Sequence, residues 1–152
     1  MNLQSYLDEH GVHYQVSRHQ PAYTSQELAA NEHVSGKKVI KPVVVRADNQ
    51  WVMCALPASY RVDLNELRLQ LHAEDVCLAN EQMLERLFPG CELGAEPPIG
   101  KLFGMPTLID ESLVKDDLVT FQAGTHTDSV TMPLIDYRRI THAEIAHFGR
   151  PS

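Results

Sequence analysis

With 152 residues, 43% of them hydrophobic, the chain is long enough to bury a sizeable core and reads as one domain. Its formal net charge of −7 argues against a broad nucleic-acid-binding face, yet Lys37, Lys38, Lys41 and Arg46 cluster closely enough to grip a short end. No apolar run approaches the roughly 20 residues that span a membrane, and the polar start from Met1 to Gly11 does not resemble a signal peptide, so a soluble cytoplasmic protein is expected.

In chain order, Asn2 to His10 reads as a short amphipathic helix stopped by Gly11, and Val12 to Ser17 as a strand. Thr24 with Glu27 makes a capping box for a helix to about Glu32. Val39 to Arg46 and Trp51 to Leu56 form a β-hairpin about an Asp48-Asn49 turn. Asp63 caps a helix to Leu71 that buries Leu64, Leu67 and Leu71. Asp75 to Leu78 is a short strand, and Asn80 caps a helix from Glu81 to Leu87. Strands follow at Thr107 to Asp110, Leu118 to Gln122 and Val130 to Ile135. Thr141 with Glu144 predicts a last helix to Phe148, with Pro151-Ser152 frayed. The mixture of hairpins and crossovers predicts an α/β or α+β fold with a mixed sheet and helices around it.

Three stretches could carry chemistry. Pro89 to Pro106 holds four of the eight glycines and four of the nine prolines, which describes a shaped loop. Its backbone N–H groups could receive an anion, or it could be a structural connection. Ala123 to Asp128, AGTHTD, sets His126 and Asp128 two residues apart, so that Asp128 could orient the imidazole; from spacing alone a capped turn with a solvated histidine reads somewhat better. Lys41 interrupts a β-branched run, where an ammonium must face a cleft, a partner or solvent. Pro42 beside it implies a strand edge or a bulge. The cysteines Cys54, Cys77 and Cys91 form neither a disulfide framework nor a zinc pattern, and Cys91 has no evident base. The isolated His33 and His72 read as surface residues. No G-x-S-x-G, Walker A or G-x-G-x-x-G motif occurs.

Lys41 in its strand, the Gly94-Ala-Glu-Pro-Pro-Ile-Gly100 loop and Ala123-Gly-Thr-His126, in that order, resemble the YbaK-type family, also called the prolyl-tRNA-synthetase-associated editing domain. The resemblance implies a compact mixed α/β fold with a curved sheet, and hydrolysis of the ester of a mischarged aminoacyl-tRNA without a cofactor or metal. Its implied partners are the 3′ end of aminoacyl-tRNA and a synthetase, with no membrane and no DNA. By motif match, Lys41 would hold the terminal nucleotide. Gly94, Pro97, Pro98 and Gly100, with Gly124, Thr125, His126 and Asp128, would frame the ester. Pro42 departs from the threonine of many members. Gly94, Gly100, Lys41 and His126 are therefore expected to border one pocket, with Met53 and Leu56 as candidate lining. A non-catalytic module that binds aminoacyl-tRNA or a nucleotide is the alternative.

Overall fold

Three helices start at the capping side chains that the sequence offers, in a computed structural model that describes residues 2–32 and 34–152. His33 lies outside the described residues. Thr24 caps α2 (Ser25–Asn31), Asp63 caps α3 (Leu64–Leu71) and Asn80 caps α4 (Glu81–Leu87), each accepting the N–H three residues on. Asn2 does the same for α1 (Leu3–Glu9), which buries Leu3 and Leu7. The strand expected from Val12 begins later, as β1 (Gln15–Arg18), while Val12 is buried ahead of it.

The hairpin of β2 (Ile40–Ala47) and β3 (Gln50–Pro57) is the spine of the fold. Its register runs unbroken from Ile40–Pro57 to Ala47–Gln50 around a two-residue turn in which Asp48 takes a φ of 52°. β4 (Tyr60–Val62) follows, then β5 (Val76–Leu78), β6 (Thr107–Asp110), β7 (Leu118–Gln122) and β8 (Asp128–Pro133). Helix α5 (Leu134–Thr141) and strands β9 (Glu144–Ala146) and β10 (Gly149–Pro151) complete the chain. The mixed five-stranded sheet has the order β5-β2-β3-β6-β9, with β6 parallel to both its neighbours. A three-stranded antiparallel sheet, β1-β8-β7, joins it through a bridge from Val39 to Thr120. The fold is thus mixed α/β, as expected.

Alternation along the hairpin divides the core. Ile40 and Ala55 pack toward α1, α5 and the three-stranded sheet with Ile99, Phe121 and Tyr137. Val43, Val45, Cys54 and Leu56 face the other way, onto Leu67 of α3 and Phe148. Leu64 and Leu71 pack against that second cluster, as their spacing predicts.

The last expected helix does not form. The helical pattern starts earlier, at Leu134, immediately after Pro133, and buries Leu134, Tyr137 and Ile140. Thr141 ends this helix rather than capping a new one: its hydroxyl donates to the Tyr137 carbonyl at 2.7 Å. His142 then turns left-handed at φ 51°, and Glu144–Ala146 adds to the sheet beside β6. Pro151 is likewise paired, opposite Tyr60, rather than frayed.

Candidate functional site

The glycine–proline loop and the AGTHTD turn are sewn together by backbone bonds. Glu92 donates its N–H to the Gly124 carbonyl at 2.8 Å, and Gly124 donates to the Ala95 carbonyl at 2.8 Å. The Glu92 carboxylate then accepts the His126 N–H at 2.8 Å. Gly94 sits in the seam at φ +89°, where a Cβ would lie 3.3 Å from the Tyr23 carbonyl and 3.7 Å from His126 Cε1. Any side chain there would meet both strain and neighbours.

A third segment closes against this seam. Ala22 donates its N–H to the His126 carbonyl at 2.7 Å, and His19 donates to the Thr127 carbonyl at 2.8 Å. The half-buried His126 ring places Nδ1 3.2 Å from the Ala22 carbonyl and lies 4.8 Å from the ring of Tyr23, tilted by 49°. A carbonyl only accepts, so this contact assigns the proton to Nδ1 and leaves Nε2 of the neutral ring as an acceptor. Gln122 fixes the same carbonyl from the core side, through Nε2 at 2.9 Å.

Asp128 does not orient His126. Its carboxylate accepts the Thr125 hydroxyl at 2.5 Å, and the imidazole is held by the main chain instead. Thr125, Asp128 and Gly124 line a cleft of about 490 Å³ with Asn2, Gln4 and Val16, and His126 is not part of that lining.

Glu96 is buried inside the loop, where its carboxylate accepts the Gly94 N–H at 2.7 Å. Burial raises its pKa, while the Gly94 N–H and nearby His126 pull the other way. Pro97 and Pro98 are buried too, and the Pro98 carbonyl accepts the hydroxyl of the fully buried Tyr137. Gly100 has no room for a side chain: a Cβ would stand 2.4 Å from the Met105 carbonyl. Its N–H goes to Thr107 Oγ1 at 2.8 Å. The N–H groups of Gly94, Gly100, Gly124 and His126 are therefore occupied within the protein.

Lys41 lies on the face of β2 that carries Val43 and Val45, opposite Leu56. It is partly buried, which lowers its pKa, and its ammonium donates to the Tyr60 carbonyl. Among the described residues, no hydrogen bond or ion pair links it to Gly94, Gly100 or His126. Pro42 sits at a local edge: β5 pairs only with Val45, Arg46 and Ala47, so the missing donor is not required. No bulge or displacement accompanies it. Met53 and Leu56 are both fully buried but point to opposite faces, so they do not line one pocket.

Burial pushes the Cys91 thiol up to about 11, which suits an inert residue rather than a nucleophile. Among the described residues there is no group of three or more His, Cys, Asp or Glu placed to hold a metal ion. No helix among them is long and apolar enough to cross a membrane.

The segments that converge at His126 fall within residues 19–140, which match the profile of the aminoacyl-tRNA editing domain. The chain belongs to this family. Solved structures share its fold. The hypothetical protein APE2540 superposes with a TM-score of 0.88 at 19% identity, covering 97% of this chain and 99% of that one. A candidate trans-editing enzyme for prolyl tRNA synthetase gives 0.85 at 21% identity, over 97% and 94% of the two chains. A signal-transduction candidate from Marinobacter aquaeolei VT8 gives 0.76 at 18%, over 97% of this chain and 30% of that one. No curated protein matches the sequence.

Sequence reasoning missed Tyr23, Glu92 and Glu96. Tyr23 precedes a capping threonine and gives no spacing signal. The two glutamates stand within or beside the quoted loop, but only the folded turn reveals that Glu92 clamps His126 and that Glu96 clamps Gly94.

Proposed function

We propose that the chain is a free-standing hydrolase that frees the amino acid from a mischarged aminoacyl-tRNA by attack of water on the ester. The whole chain, residues 1–152, would act as one editing domain in the cytoplasm, on tRNA mischarged by a synthetase. The observation that carries this reading is the His126 seam: an imidazole with Nδ1 committed to a main-chain carbonyl and Nε2 left as an acceptor.

An aminoacyl ester is already activated, so orienting water is the main task. Water adds to the carbonyl carbon, the bond to the ribose oxygen breaks, and that oxygen leaves with a proton. His126 Nε2 accepts a hydrogen bond from the attacking water or from the neighbouring ribose hydroxyl. A positioned base of this kind contributes about 10²- to 10⁴-fold. Lys41 holds the terminal nucleotide. Its ammonium has three donors, and the Tyr60 carbonyl takes one, leaving two for a phosphate or a ribose. The N–H groups of Gly94, Gly100, Gly124 and His126 are occupied, so these four donors do not meet the oxyanion.

A panel of mischarged tRNAs tests the proposal. Release of amino acid from at least one member, unaffected by chelator, is expected. A panel left wholly intact by the protein contradicts it, and binding without turnover would select a non-catalytic module instead.

A further inference from the structure

Tyr23 is a large aromatic side chain left 63% exposed, and its ring leans on His126 at a centroid distance of 4.8 Å. Its place is fixed on both sides. The Glu27 carboxylate accepts its N–H at 3.3 Å, and its carbonyl closes over Gly94, 3.3 Å from where a Cβ would stand. The neighbouring Ala22 carbonyl is held by Gln122 and faces His126 Nδ1. An exposed ring on a backbone held at the Tyr23 N–H and at the Ala22 carbonyl is a preformed platform, with little ordering cost left on binding.

Building on the editing reading, we propose that Tyr23 is the stacking surface for the terminal adenine base of the tRNA 3′ end. Stacking tolerates water at the edges of the base and needs only an open π-face. An amino-acid pocket must instead be enclosed to discriminate single methylenes, and Tyr23 is too open for that task. The net charge of −7 favours the same choice. On an acidic chain a neutral stacking contact supplies affinity that phosphate pairing supplies poorly. The stacked base then sets the ribose, and hence the ester, beside His126.

The probe is adenosine, which carries no phosphate, titrated into the full chain while the His126 ring resonances are followed by NMR. Saturable shifts are expected, with an affinity that barely changes between low and moderate salt. Tyr23→Phe should retain binding, and Tyr23→Ala should weaken it about 5- to 150-fold, the range of one base–aromatic stack. Absence of saturable binding, or equal binding by Tyr23→Ala, overturns the proposal. So does a Tyr23→Ala protein that keeps its adenosine affinity but changes its preference among amino acids on one tRNA, since Tyr23 would then be a pocket wall. The titration needs no turnover. Adenosine binding without ester hydrolysis supports the platform and removes only the hydrolase reading. Hydrolysis without adenosine binding removes only the platform.

Discussion

The His126 seam and the Lys41 strand carry the two side chains on which the functional reading rests, and they are built in opposite ways. The seam is main chain sewn to main chain: Glu92 bonds Gly124, Gly124 bonds Ala95 and Ala22 bonds the His126 carbonyl, all at 2.7–2.8 Å, and the side chains hang from that frame. Lys41 is a single long side chain on a β-branched face, tethered at its tip to the Tyr60 carbonyl. A backbone frame holds its groups rigidly and loses a little with each bond removed. A lone ammonium is adaptable, and all of its contribution goes with one truncation.

Lys41→Ala, which truncates that lone ammonium, should lower kcat/KM for a mischarged tRNA about 10- to 100-fold, from the 1.5–3 kcal/mol of hydrogen bonds to a charged group. Equal hydrolysis by this variant would confine Lys41 to its contact with Tyr60. Gly100→Ala comes next. Its Cβ collides with the Met105 carbonyl, so urea unfolding should reveal a loss of about 1–3 kcal/mol, the usual cost of overpacking. An unchanged midpoint would mean that the loop yields easily at Gly100. Glu92→Ala removes one bond of the seam and should cost about 1 kcal/mol of stability, with hydrogen exchange at the His126 amide accelerated. Exchange at the wild-type rate would show that the turn holds itself.

The smallest effect lies beside β4, where Arg150 of the last strand bonds the carboxylate of Asp63 and holds its pKa below the usual aspartate range. The folded-state value is depressed, so this stabilisation is present above the unfolded pKa and fades as pH falls through the folded one. Thermal unfolding followed downward from neutral pH should therefore show a shallower acid-side loss in Asp63→Asn than in wild type. Identical slopes would assign the acid sensitivity to other carboxylates.

Much of the fold is legible where local chemistry and tertiary packing agree. Thr24, Asp63 and Asn80 cap the helices they announce, and Asp48-Asn49 turns the hairpin. The end of the chain reads wrongly because Thr141 and Glu144 mimic a capping box. The Thr141 hydroxyl instead bonds back along α5, and the open flank of β6 captures Glu144–Ala146 as a parallel strand, a long-range pairing that no local pattern encodes. The site divides in the same manner. Gly94 and His126 do meet, but the spacing of His126 and Asp128 suggested a pair that the structure replaces with the Ala22 carbonyl, a main-chain atom more than a hundred residues away in sequence. Tyr23 enters by the same long-range contact.

The most direct measurement is single-turnover release of the amino acid from the most susceptible mischarged tRNA, comparing wild type with His126→Ala at matched folding. A fall of about 10²-fold or more in the rate of the chemical step is expected. A wild-type rate in the variant would contradict it, because the seam would then hold a histidine that takes no part in the reaction.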